Sequence, residues 1–570
     1  MNKLIVIFFY AIILQPNLLG QQEPAPILLP HFPIVLDSGG YGNVSWSPPL
    51  LADFNNDGML EIVITEAHAP PPTQRAIHII TQDGKNLQHW PKKLHYTTFA
   101  KVAAGDVNND GNMDIVLLAD SLFVFSKDAE LFPGFPVAIN YGVDPNATSL
   151  VIYDLDGDGQ LEMITCSGHK LIVINSNGQI REGWPKYYAG IEINKPAVGD
   201  LNNDGLAEII LYTYKWLGPL HVDSAYISVF QADGTFLPGW PTITDSGYLP
   251  TYALQVIPHA SGNKIISIAN IKGNLDTTYD NRITLFFSDG SLLRQWRLPS
   301  SYWGDRIVGG SIADFDNNGE LEIATILMEK ANISSLNGFL LQTDTMKMTE
   351  NGHGPIIGKI TQSDTLCLLG FNSTIVGDTG QLFAYHFDGS PLEWSPLKLY
   401  GGPSDLMLGD INNDGNIDLI ATAWIFGNPS KTLLYAWTFP GISSDPQYFP
   451  WPMYGHDRYR SSQYGFIPND IVQVPYFSEP EMQFSLKQNY PNPFNPQTAI
   501  GFSLLAVGNV TLKIYDILGR EVATLLNNEK MQAGKHEIQF DGSILTSGVY
   551  FYRLNVDGKF SETKKLVLMK

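Results

Sequence analysis

Positive charge is scarce in this chain. Lys+Arg number 35 against 57 Asp+Glu, for a formal net charge of −22. A nucleic-acid partner needs a basic face, so the balance excludes that class. Cysteine is nearly absent, with only Cys166 and Cys367, so no disulfide framework holds the fold. The two could pair in an oxidising compartment, but two buried free thiols are the simpler expectation. After Leu4–Leu14 no apolar run reaches about 18 residues, so no membrane-spanning helix is expected. Recognisable catalytic motifs are also missing. There is no His-Glu-x-x-His, no Gly-x-Ser-x-Gly and no Gly-Lys-Ser/Thr phosphate loop. His259 and His456 stand without a nucleophile beside them in sequence and read as structural.

What is abundant is turn chemistry. Gly (52), Pro (37) and 12% aromatics, against only 16% charged residues, suit many short strands joined by turns. At 570 residues the chain exceeds one ordinary core, so more than one domain is expected. The start, Met1-Asn2-Lys3 followed by the apolar run and small Gly20, reads as an export signal over 1–20. No cysteine lies near that point, so a lipid anchor is not expected.

Six segments repeat one nine-residue pattern, beginning at Asp53, Asp106, Asp154, Asp200, Asp314 and Asp410. Positions 1, 3 and 5 are always Asp or Asn, position 6 is always Gly, and position 9 is always Asp or Glu. Calcium is a hard cation that takes six to eight oxygen ligands. Alternate side chains of a tight loop can converge on one ion, with Gly supplying the sharp turn. Position 7 varies freely, as expected of a residue that offers only its carbonyl.

The ligands expected on this reading are Asp53, Asn55, Asp57 and Glu61; Asp106, Asn108, Asp110 and Asp114; and Asp154, Asp156, Asp158 and Glu162. The remaining loops supply Asp200, Asn202, Asp204 and Glu208; Asp314, Asp316, Asn318 and Glu322; and Asp410, Asn412, Asp414 and Asp418. An EF-hand is excluded because position 12 is never acidic and the flanks are short and β-branched, hence strands. An Asn-Asp-Gly turn alone would not require an acid at position 9. The loops hold 20 carboxylates, and six calcium ions would bring the net charge from −22 to about −10.

Successive loops start 53, 48 and 46 residues apart, then 114 and 96, which are double steps. Two units therefore lack the ligands, one at His259–Gly262 and one at Gln362–Thr365. Turns such as Asp83-Gly84, Asn177-Gly178 and Asp233-Gly234 keep the same beat. So do the aromatic-Pro steps at 90–91, 135–136, 184–185, 240–241 and 451–452. A period near 50 with about four strands per unit predicts an all-β propeller. Eight blades are favoured and seven is the alternative; a β-solenoid is the rival architecture.

These loops and Gly-Trp-Pro steps resemble the FG-GAP/VCBS repeats of integrin α-type propellers, over 25–465. The resemblance implies calcium in the hairpin loops, held by the residues named above. Residues 466–483 read as a linker. Residues 484–570 read as a small Ig-like β-sandwich, with strands at Thr511–Tyr515 and Gly548–Leu554. The segment resembles the C-terminal sorting domain of type IX secretion cargo. The likeness rests on Asn489-Tyr-Pro-Asn-Pro-Phe-Asn-Pro496, Ile514-Tyr-Asp-Ile-Leu-Gly-Arg520, Ser547-Gly-Val-Tyr550 and the basic Lys564-Lys565. It implies a partner in the type IX export machinery, a place outside the cell or on its surface, and a source among the Bacteroidota or relatives.

The function expected is a secreted or cell-surface, non-catalytic calcium-binding propeller that binds or adheres to a glycan or protein partner. The alternatives are a polysaccharide-degrading enzyme resembling rhamnogalacturonan lyases, and a structural subunit of a surface assembly.

Overall fold

The computed structural model describes residues 23–569 apart from 38–47, 66–74, 95–99, 140–148, 259–263, 273–279, 299–306, 349–354, 426–430, 463–484 and shorter stretches of up to three residues. The export signal over 1–20, the linker over 466–483 and the ligand-free loop at 259–262 lie outside the described residues. The chain divides into two compact units, Met1–Val472 and Gln473–Lys570. Both are all-β. Among the described residues the only helix is a short 3-10 turn, Pro446–Tyr448.

The first unit contains eight small antiparallel sheets among the described residues. Sheet 1 is built from Leu50–Ala52, Glu61–Thr65, Arg75–Ile80 and Lys92–Leu94, paired in chain order. Sheets 2 to 7 repeat this plan over 101–138, 149–187, 191–244, 248–297, 307–342 and 356–400. Val-, Ile- and Leu-rich runs such as Glu61–Thr65 and Asp114–Leu118 are buried on both faces, so they read as continuous apolar runs. Their cores lie between consecutive sheets. Phe135 and Leu150 share one cluster, and Trp184 and Phe230 another.

Sheet 8 is different in origin. Gly402–Gly409, Asn416–Ile425 and Lys431–Ser443 are completed by the N-terminal strands Ile27–Leu28 and Ile34–Asp37. Leu28 pairs with Trp437, and Ile34 with Leu434. The first strand of each sheet, or in sheet 4 Ala197–Gly199, lies against its counterpart in the next, and Gly402–Gly409 lies against Leu50–Ala52 of sheet 1. One core cluster accordingly joins Met407 and Ile420 of sheet 8 to Leu51 and Ile64 of sheet 1.

In sheets 1 to 4 the aromatic-Pro steps reach the turn of the next sheet. The buried indoles of Trp90, Trp184 and Trp240 donate to the carbonyls of Lys127, Ala232 and Ser288 in the next sheet's turn, at 2.8–3.1 Å. The glycine before the aromatic is forced by contact. A Cβ on Gly134, Gly183 or Gly239 would stand 2.0–2.2 Å from a carbonyl oxygen of that turn. Trp451-Pro452 does not belong to this series, against the sequence expectation. The step of sheet 8 is Phe32-Pro33, where His31 packs on Gly84 of sheet 1.

Trp451-Pro452 instead opens a segment that crosses the first strands of several sheets. The carbonyls of Trp451 and Pro452 accept from Ile357 (sheet 7) and Leu408 (sheet 8). Those of Ser461 and Ser462 accept from Val198 (sheet 4) and Val256 (sheet 5). The buried Arg460 guanidinium donates to the carbonyls of Pro48 and Pro49, ahead of sheet 1, and of Val102 in sheet 2. His456 is buried beside Asp457 and packs edge-on against Trp451, in agreement with a structural role. Cys166 and Cys367 are both buried thiols.

The second unit has two antiparallel sheets around one core. Ser485–Leu486, Gln497–Leu504 and Gly534–Asp541 form the first. Glu521–Met531, Gly508–Asp516, Gly548–Val556 and Phe560–Leu568 form the second. Burial alternates along Gly508–Asp516 and Gly548–Val556, as a strand with one covered face requires. The Asn489–Pro496 motif is an internal brace. Buried Asn489 bonds Thr498 and Tyr552, and Asn492 accepts from the Val567 N–H.

Candidate metal centres

Each of the six acidic loops bridges the first and second strands of its sheet. Position 9 opens the second strand in sheets 1, 2, 3, 4 and 6 and lies just inside it in sheet 8; it is paired across from the residue before position 1, as Gly105 is with Asp114, Ala313 with Glu322 and Gly409 with Asp418. The loops thus sit at one recurring place on sheets 1, 2, 3, 4, 6 and 8. Position 2, always Phe, Val, Leu or Ile, is completely buried and fixes the loop to the sheet.

Backbone donors organise the acids. The N–H of the position 6 glycine donates to Oδ2 of the position 1 Asp at 2.6–3.1 Å in all six loops. The N–H of position 7 donates to Oδ1 of position 5 at 2.7–2.9 Å. Glycine at position 6 has φ between +82° and +89°, and position 4 is also left-handed, at +54° to +60° for the five Asn and +75° for Gly157. Asn and Gly are the residues that adopt this conformation readily, which explains position 4. Sequence reading had assigned position 4 no role, although its Asn/Gly restriction was visible.

The position 9 acid is almost fully enclosed. Glu61, Asp114, Glu162, Glu208, Glu322 and Asp418 are 0–2% exposed. Each accepts the N–H of position 2 at 2.7–3.0 Å. The acid therefore also ties the loop shut, a role that sequence reasoning missed. Burial pushes Glu61, Glu162, Glu322 and Asp418 up to about 7, with the other carboxylates of the same loop adding to the shift. Asp418 Oδ1 is buried without a hydrogen-bond partner among the described residues. Carboxyl oxygens of Asp154, Asp156 and Glu162, and of Asp314, Asp316 and Glu322, lie within 4.8 Å of one another. An all-oxygen donor set that is partly buried and mutually repulsive fits a hard divalent cation.

The third loop has an added feature. The guanidinium of Arg181 donates to Asp156 Oδ2 at 2.7 Å and lies 3.3 Å from Glu162 Oε1. Position 3 is Asn in the first, second, fourth and sixth loops and Asp316 in the fifth, and Asn55 donates to Glu61 Oε1 at 3.1 Å.

Sheet 7 retains the same strand pairing with no acid at positions 1, 3, 5 or 9. Gly358 pairs with Cys367, so Lys359 stands at position 1, Thr361 at 3, Ser363 at 5 and Cys367 at 9. The hydroxyls of Thr361, Ser363 and Thr365 bond in series at 2.8 and 3.0 Å. The Cys367 thiol, pushed up to about 12 by burial, accepts from the Ile360 N–H, as the acid does elsewhere. Lys359 Nζ lies 4.5 Å from the Tyr448 ring centroid. The ligand-poor unit expected from the spacing thus keeps the strand pairing of the acidic hairpins, with Gly358 across from Cys367.

The description "FG-GAP-like repeat" matches residues 53–117 and 154–211, and "Secretion system C-terminal sorting domain" matches 488–569. The chain carries both, and the sorting domain marks it for the cell surface or the exterior. No helix among the described residues is long and apolar enough to cross a membrane. No curated protein matches the chain. Among solved structures, the V. cholerae biofilm matrix protein Bap1 is 13% identical, with 73% of this chain and 90% of that one covered and a TM-score of 0.35. BBS1N in complex with ARL6DN is 10% identical, with coverage of 74% and 98% and a TM-score of 0.39. A protein of unknown function from Bacteroides caccae is 12% identical, with coverage of 52% and 93% and a TM-score of 0.27. Scores this low carry no argument.

Proposed function

We propose that this chain is an exported, non-catalytic calcium-binding β-propeller of eight blades that binds a glycan or protein partner outside the cell. The observation that carries the proposal is the recurrence of one acidic hairpin at the same place on six sheets of a chain with a sorting domain. The eight-blade reading draws support from the side-by-side order of first strands, which returns from sheet 8 to sheet 1, and from the N-terminal strands that complete sheet 8. On this reading 25–465 is the propeller, 484–570 the sorting sandwich, 466–483 their linker and 1–20 the export signal.

Calcium would be held by the side chains at positions 1, 3, 5 and 9, with the position 7 carbonyl completing the oxygen set. It would neutralise carboxylates that the fold brings together and hold two strands at an exposed hairpin. Its contribution is stability, since an ion that binds only the folded state stabilises it by mass action.

Elemental analysis of the mature protein after exhaustive buffer exchange tests the metal reading. Several calcium ions per chain are expected, and a calcium-free protein with unchanged stability would overturn it. Retention on insoluble polysaccharides, compared with capture on surface proteins, separates glycan from protein partners. Turnover of any polysaccharide in a panel would overturn the non-catalytic reading.

A further inference from the structure

Arg181 is the one charged residue in a position that the fold otherwise fills with apolar side chains. Just before each aromatic-Pro step, and before Ser395-Pro396 in sheet 7, one residue donates its N–H to the strand carbonyl of its own sheet. Those residues are Leu29 (to Ala436), Leu87 (to Ile79), Phe132 (to Val124), Arg181 (to Val173), Leu237 (to Val229) and Leu392 (to Ala384). Five are Leu or Phe. Arg181 alone sends a cation back toward the acidic loop of its own sheet.

We propose that the Arg181 guanidinium is the resident cation of the third loop, so that the loop at Asp154–Glu162 stays closed without calcium and takes up none. The inference rests on the calcium reading of the other five loops. Three observations carry it.

The guanidinium bridges positions 3 and 9, at 2.7 Å from Asp156 Oδ2 and 3.3 Å from Glu162 Oε1. The opposite oxygens of the same carboxylates face backbone donors, Asp158 N–H at 3.4 Å and Leu155 N–H at 3.0 Å. Both acids are therefore engaged from two sides by groups of this chain. Finally, the arginine is held in place from the neighbouring sheet. Its Nε donates to the Ala232 carbonyl at 3.2 Å, the same oxygen that accepts from Trp184 Nε1. Its side chain is only 17% exposed. A planar fork fixed by three partners is preorganised for a carboxylate pair. An ion entering the loop would have to displace it and strand a guanidinium in a half-buried site.

The sixth sheet supplies an internal contrast. Its loop also has Asp at position 3 and the same convergence of Asp314, Asp316 and Glu322. There the residue after the equivalent bridge, Ser334 with Leu340, is Leu341.

The test is the calcium count of the full chain, stripped with a chelator, re-equilibrated with calcium and measured by elemental analysis. The native protein is expected to hold about five ions, and Arg181→Leu and Arg181→Gln about six. Asp154→Asn combined with Asp158→Asn, in the native background, is expected to leave the count unchanged. The matching pair Asp106→Asn with Asp110→Asn is expected to remove one. A native count of six, an unchanged count in both Arg181 variants, or loss of an ion on changing Asp154 and Asp158 would overturn the proposal while leaving the calcium reading intact. No ion in any variant would overturn the calcium reading, and this proposal with it.

Discussion

The hairpins of sheets 6 and 7 have the same length, the same register and opposite chemistry. In sheet 6 the loop from Asp314 to Glu322 gathers carboxylates around a shared centre. In sheet 7 the loop from Lys359 to Cys367 replaces them with hydroxyls that bond one another and a thiol that takes the N–H of position 2. The second loop shows that this hairpin folds without any acid at position 1 or 9. Hydroxyls and a thiol stand at positions 3, 5 and 9, so the acids at those positions in the other loops exceed what this strand pairing requires. Buried like charges are unfavourable unless something compensates them. On the proposed reading a cation is that compensation: calcium in most loops, and Arg181 in the third.

Removing calcium is the broadest way to break the comparison. At a hundredfold excess over Kd each ion contributes roughly 2.7 kcal/mol, so chelation is expected to lower the melting temperature of the first unit by more than about 10 °C. Calorimetry with and without chelator checks this, and an unchanged transition would mean that the acids serve only the turn.

Arg460→Ala sets the loops against the segment that crosses the sheets. It strips three backbone carbonyls of a charged donor. The expected loss is about 4 kcal/mol, with the calcium count unchanged, read by denaturant unfolding and elemental analysis. A loss of ions would show that this segment and the loops act as one.

Asp314→Ala with Asp316→Ala should release one ion and destabilise by about 2–3 kcal/mol at saturating calcium. A full count in titration calorimetry would remove those residues from the ligand set.

Cys367→Ser tests the neutral hairpin. It should cost about 1–2 kcal/mol, because a polar hydroxyl replaces a buried thiol, and leave calcium binding untouched. A change in ion number would mean that the sheet 7 loop is coupled to its acidic neighbours.

Much of the acidic site was legible because its chemistry is local. Nine consecutive residues carry the acids, the glycine and the flanking strands, and the spacing of the copies counts the sheets. The same locality made Asn489–Pro496 and Asp516–Arg520 readable as parts of the sorting domain. The brace made by position 9 was hidden, since the acid and the N–H it accepts meet only once the hairpin closes. Trp451-Pro452 was grouped with the wrong steps because a dipeptide does not reveal which sheet it touches. Phe32-Pro33, its counterpart for sheet 8, lies near the opposite end of the first unit from Lys431–Ser443, the strand that Ile34–Asp37 pairs with.

The sequence by itself therefore determined the all-β class, the unit period, the six acidic hairpins and the export tail, because each is written in neighbouring residues. Tertiary structure alone decided the rest. It placed the first strands of the chain in the last sheet, ran Trp451–Ser462 across the first strands of sheets 4, 5, 7 and 8, and carried the Arg181 guanidinium into one loop of six. Those outcomes depend on which surfaces meet when distant segments pack. The energies that decide them, buried hydrogen bonds and desolvated charges, exist only after that packing has excluded water.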